Sequence, residues 1–173
     1  MAITSAVCNT FKAEIFKGGH NFNTSGQTPA GNAFKLSLYS SASANLDGTT
    51  SQYTAPSDGT ADPTNTYEVT STSSGYVTGG KALTNQGVTG TSSTTTSFTD
   101  FADLSTANGT SWTSATFTTY GCLIYNTTAV TGFTTNRSVC VVSFGGAKTV
   151  SNGTFSIEFP TASTSAAILR ITS

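Results

Sequence analysis

Thr118–Asn126 (TTYGCLIYN) and Arg137–Gly145 (RSVCVVSFG), separated by the ten residues 127–136, decide the fold. Cys122, Leu123, Ile124 and Tyr125 are consecutive and apolar, as are Val139, Cys140, Val141 and Val142. Side chains alternate between faces along a strand, so an unbroken apolar run puts apolar groups on both faces. Each face then needs a cover. β-branched and aromatic residues suit a pleated sheet, and neither run has the length of a helix. The intervening loop carries Gly132 and Asn136, which suits a turn region. The reading is two adjacent antiparallel central strands. With Tyr125 near Arg137, Cys122 falls roughly opposite Cys140.

Working outward, Ile3, Val7, Phe11 and Ile15 recur every four residues, one face of a helix. Thr4 or Ser5 suits its cap and Gly18-Gly19 its end, which predicts a helix at about residues 4–17. Lys12, Glu14 and Lys17 fall off its apolar stripe. This helix is the natural cover for one face of the central pair. Asn21–Asn32 is loop by composition. Phe34, Leu36 and Leu38 alternate with Lys35, Ser37 and Tyr39, a half-buried strand. Ser40–Asn65 is rich in Ser, Thr, Asp, Gly and Pro, and reads as a long surface loop, a length that usually marks function.

Further strands are expected at Tyr67–Thr70, Lys81–Thr89, Thr94–Phe101 and from Trp112 through Phe117 into the central pair, with Asp103–Thr110 as loop. Beyond the pair, Gly145-Gly146 and Asn152-Gly153 read as turns. Phe155, Ile157 and Phe159 alternate with polar residues as far as Pro160. Ala167, Leu169 and Ile171 form a last strand, which puts the C-terminus in the sheet system. The fold class is mostly β: a jelly-roll-like β-sandwich of about eight or nine short antiparallel strands, with one N-terminal α-helix. At 173 residues a single domain spanning 1–173 is expected.

Composition narrows function. Charged residues are 9% of the chain and the net charge is -1, which leaves no basic footprint for nucleic acid. Few charges mean weak repulsion between copies, which suits a protein that works in an assembly. No apolar run reaches membrane-spanning length, so no membrane partner is expected. The start, MAITSAVCNTF, lacks the features of a signal peptide, so synthesis in a cytoplasm with reduced thiols is expected. Cys122 and Cys140 then read as small core residues.

No chemistry-bearing constellation stands out. His20 is the only histidine. Without a second one it reads as a hydrogen-bonding residue after the helix, not as a metal ligand or general base. Glu14, Glu68 and Glu158 carry no spacing that singles out a catalytic pair. Asp47, Asp58 and Asp62 do not match a calcium loop. Sequons at Asn23, Asn108, Asn126, Asn136 and Asn152 are what a Ser/Thr-rich chain produces by chance. The expectation is a protein that is not an enzyme, with no catalytic residue, no cofactor and no metal. Trp112 reads as a core anchor.

The segments SAVCNTFKAEIFKGGHNF, FKLSLYSSAS, GYVTGGKALTN, GCLIYN, NRSVCVVSFGG and NGTFSIEFP span most of the chain. In order and length they resemble a family of small structural proteins of tailed bacteriophages. The chain departs from that pattern at Ala44–Thr66 and about Asp103–Trp112, which are longer. The resemblance implies a virion component on the capsid surface, a decoration or cement protein. It would bind the major capsid protein and self-associate as a trimer or dimer. No catalytic residue carries over. Edge strands, the N-terminal segment and Ser40–Asn65 are the expected contacts. The alternative is a tail or fibre component that binds a host glycan through Tyr53, Tyr67, Tyr76 or Trp112. A hydrolase would have to run on His20.

Overall fold

In the computed structural model, which describes residues 2–56, 62–90 and 95–173, the chain forms two antiparallel sheets and one main helix. In order the elements are β1 (Ala6–Val7), α1 (Asn9–Phe16), β2 (Phe34–Tyr39), a 3-10 turn (Ala42–Ala44), α2 (Pro63–Thr66), β3 (Lys81–Leu83), β4 (Asn85–Thr89), β5 (Thr96–Phe101), β6 (Trp112–Asn126), β7 (Arg137–Phe155) and β8 (Leu169–Thr172). The larger sheet has the order β1-β7-β6-β2-β3 and the smaller β4-β5-β8. The mostly-β expectation holds. Among the described residues, no helix is long and apolar enough to cross a membrane.

β6 and β7 pair as expected and lie between β2 and β1. Leu123, Ile124 and Val139 are fully buried and Val141 nearly so, so both faces are covered. On one face Phe34 of β2 stacks on Phe22 at 4.6 Å and meets Phe101 of β5 at 5.4 Å, while Phe22 lies edge-on to Phe11 of α1. On the other face Tyr125 stacks on Tyr53 at 4.4 Å. The second cover is therefore Ser40–Pro56, where Ala44 and Leu46 are also sealed. This corrects the reading of Ser40–Asn65 as purely surface loop: a doubly apolar strand pair needs a second lid, and this stretch supplies its apolar residues.

The register differs from the expected one. Asn126 opposes Arg137, Tyr125 opposes Ser138 and Ile124 opposes Cys140, so Cys122 faces Val142. Val139 is the extra residue of a bulge, which shifts every later pair by one. Cys8, Cys122 and Cys140 are free and buried. Burial pushes the Cys8 and Cys122 thiols up to about 12, so they stay protonated as small core residues.

The expected helix at 4–17 is shorter. Ala6 and Val7 pair with Val141 and Cys140, and α1 starts only at Asn9, without a side-chain cap. Ser5 instead accepts a hydrogen bond from the Ser143 N–H (2.9 Å), tying the N-terminal segment to β7. Ile3 and Val7 satisfy a period of two as well as four, and the open edge of β7 decides for the strand. The predicted end stands. Gly18 takes φ +75°, Gly19 N–H reaches Glu14 C=O (2.8 Å) and Gly18 N–H reaches Ile15 C=O (3.2 Å). That is a left-handed glycine closing the last carbonyls.

Gly145-Gly146 and Asn152-Gly153 are not turns, because β7 runs through both. Between Gly121↔Ser143 and Thr119↔Lys148, two steps on β6 face five on β7, so the Gly pair sits in a wide bulge. Gly145, Gly146 and Asn152 have positive φ, which a bulge accepts as readily as a turn. Phe155 accordingly ends β7, and Ile157 makes only an isolated bridge to Leu104. Tyr67–Thr70 likewise reduces to one bridge, Tyr39↔Glu68. The predicted strand Lys81–Thr89 divides at Thr84 into β3 and β4, which belong to different sheets.

Candidate functional site

His20 lies just beyond the end of α1, with its side chain sealed from solvent. Its Nε2 is 2.8 Å from Glu14 Oε2, and its Nδ1 is 3.1 Å from Asn126 Nδ2. An amide nitrogen only donates, so Nδ1 accepts and Nε2 carries the proton given to Glu14. Burial pushes the imidazole below its usual value, opposed by the hydrogen bond it donates to Glu14; the Arg137 charge adds to the lowering. Arg137, fully buried, donates to Gly19 C=O (2.6 Å) and Thr134 C=O (2.7 Å), with its Nε 3.7 Å from Glu14. The cluster ties the end of α1 to β6, β7 and the loop between them. Both imidazole nitrogens are committed, so neither is offered to a substrate or an ion.

Glu68 is a second buried ionisable group. It accepts hydrogen bonds from Tyr53 Oη (2.8 Å), Tyr76 Oη (2.7 Å) and Gly79 N–H (2.7 Å). Tyr125 Oη donates to Gly79 C=O (2.7 Å) and closes the network. Burial raises the Glu68 carboxyl above the usual range, against the pull of these donors and of Lys35. The same geometry places three of the aromatics named for glycan stacking. Tyr53, Tyr76 and Trp112 are all buried. Trp112 stacks with Tyr76 and lies under the Lys81 ammonium, 5.5 Å from the ring. None of the three offers a free face, and Tyr67 is only half-exposed.

Burial raises the Asp100 carboxyl and the nearby Asp103 charge adds to it, while Glu158 is exposed. Glu14 and Glu68 belong to these separate networks. Asp62 caps α2 through Thr64 and Asn65, and Asp47 holds the turn at Thr49. Asp58 lies outside the described residues. Among the described residues, no three His, Cys, Asp or Glu side chains come together as metal ligands.

The feature that remains open is apolar. Between α1 and the smaller sheet runs a groove of ≈ 370 Å³. Its floor follows from register. Val88, Thr99 and Leu169 sit opposite one another across β4, β5 and β8, and Ser97 and Ile171 form the next row of the same face. Val7, Phe11, Ile15 and Phe16 form the opposite wall. Phe16 is 91% exposed, Ile171 65% and Val88 54%. Lys12 and Arg170 also line it, and among the described residues no carboxylate does. Of the expected contact regions, it uses the N-terminal segment and an edge strand. Ser40–Asn65 instead borders a separate polar cleft that includes Thr50, Gln52 and Asp62.

Sequence reading placed Val7, Phe11, Ile15, Leu169 and Ile171 on buried faces and named none of them as a contact residue. Two signals were present. Ile15 and Phe16 are adjacent, so a helix cannot bury both on one stripe. The last strand is apolar at Ile168 as well as at Leu169 and Ile171, more than one buried face needs. No family model matches the chain, and neither curated proteins nor solved structures give a match.

Proposed function

We propose that the chain is a non-enzymatic structural protein of a tailed-bacteriophage virion, a capsid decoration or cement protein that binds and stabilises the major capsid protein shell. The sequence resemblance is one support. The observation that carries the reading is the groove, where a phenylalanine 91% exposed stands beside exposed Ile171 and Val88. Contiguous apolar surface of this kind is covered in a working assembly. The buried His20 and Glu68 groups, by contrast, are closed on internal partners and serve rigidity.

A cement protein needs a stiff body and an adhesive face. Repetition of identical sites on a shell makes modest individual contacts add up. The test mixes the purified chain with empty shells assembled from the major capsid protein of the phage that carries it. Co-sedimentation at fixed stoichiometry, with a higher thermal transition for the decorated shell, is expected. Failure to co-sediment at saturating concentration overturns the reading, as does binding to tails alone.

A further inference from the structure

β8 is the edge of its sheet, paired among the described residues with β5 only. Ser173 N–H bonds to Thr95 C=O (3.2 Å), which fixes the phase of the ladder. Leu169 and Ile171 then turn their backbone groups toward β5, and Arg170 and Thr172 turn theirs outward. The free edge therefore runs beside the groove, with Ile171 in its floor and Arg170 at its rim. An exposed edge next to apolar pockets is the arrangement that accepts an added strand.

Charge narrows the occupant. Lys12 donates to Asn9 Oδ1 and Arg170 to Thr164 C=O, so each is held by a neutral acceptor. Neither is in a salt bridge among the described residues. A second copy docked groove to groove through a two-fold axis would bring the Lys12 and Arg170 cations of both copies into one interface, with no acid among the described lining residues. Like charges at such an interface repel, so the rim selects against self-pairing here.

We infer that this groove receives an extended segment of a different protein, apolar at alternate positions and acidic at one end, which adds to the free edge of β8. Backbone bonding to Arg170 and Thr172 sets its register, its groove-side apolar residues pack beside Leu169 and Ile171 at the β8 end of the groove, and its two adjacent acids, which point to opposite faces of the sheet, meet Lys12 and Arg170. This deepens the capsid reading, and rests on it only for the identity of the neighbour.

The probe is a capped eight-residue peptide, two Asp followed by alternating Val and Thr, titrated into the full-length chain and followed by fluorescence anisotropy and amide NMR shifts. Saturable binding with shifts centred on α1 and β8 is expected. The Lys12→Glu/Arg170→Glu double variant weakens binding about tenfold and restores it for a peptide with two Lys in place of Asp. Phe16→Ser also weakens it about tenfold; because that ring is almost fully exposed, the fold is unaffected. Methylating alternate peptide amides abolishes binding.

Absence of binding at millimolar peptide overturns the inference, as does equal affinity for the acidic and basic peptides. A dimer of the chain that Phe16→Ser dissociates also overturns it, since the occupant is then a copy. If the peptide binds but shells do not recruit the chain, the capsid reading falls and the groove assignment stands. If shells recruit the Phe16→Ser and double variants as well as the parent chain, the groove assignment falls and the capsid reading stands.

Discussion

His20 and Glu68 are buried ionisable groups with opposite pH signatures. The imidazole value is lowered in the fold, so its contribution is present above the ordinary histidine value of 6.5 and is lost as pH falls through the lowered one. The carboxyl value is raised, so its contribution is full below the ordinary glutamate value of 4.5 and is lost as pH rises through the raised one. Urea unfolding across pH 4–8 separates them. His20→Ala is expected to flatten the acid-side loss of stability. Glu68→Gln is expected to flatten the loss toward neutral pH. Glu68→Ala strands three donors and is expected to cost about 3 kcal/mol at low pH, where the carboxyl contributes in full, and less toward neutral pH. Neither network was legible in the sequence. Glu68 lies in what reads as a weak strand, and its donors Tyr53, Tyr76 and Gly79 come from the surrounding chain. Only the fold brings them together.

At the scale of elements, two glycines provide a comparison. Gly18 ends α1 at φ +75° with open space where a Cβ would go. Gly18→Ala therefore meets only the conformational penalty, about 1 kcal/mol. Gly80 has φ +72°, and a Cβ there would land on the Leu36 carbonyl oxygen of β2. Gly80→Ala has to displace the β2–β3 pair, and is expected to cost about 3 kcal/mol or more. Thermal and urea denaturation of the two variants side by side check the difference. The central pair, β2, β5 and β8 were readable because alternation or a doubly apolar run has no helical counterpart at those lengths. β1 was not, because Ile3 and Val7 fit both periods. The course of β7 was not, because Gly-Gly and Asn-Gly report positive φ without saying whether the chain reverses or bulges. The cover supplied by Ser40–Pro56 was hidden by its polar composition, in which Leu46 and Tyr53 are isolated apolar residues.

At the scale of the whole molecule, the buried His20 and Glu68 networks face inward and the apolar groove faces out. α1, Val88 and the Arg170-Ile171 pair are far apart in sequence and meet only in the fold, so the local signals at Phe16 and Ile168 mark surplus apolar surface without saying that it forms one groove. Self-association, expected as a dimer or trimer, is assigned to a surface other than this one. Sedimentation equilibrium of the parent chain and the Phe16→Ser variant is expected to give the same mass for both. At the boundary between the sheets, Thr84 alone separates β3 from β4. A single peptide unit leaves no slack for one layer to slide over the other. Force applied at Val88 is expected to pass through Thr84 to Lys81 and the indole beneath it, which couples the two layers.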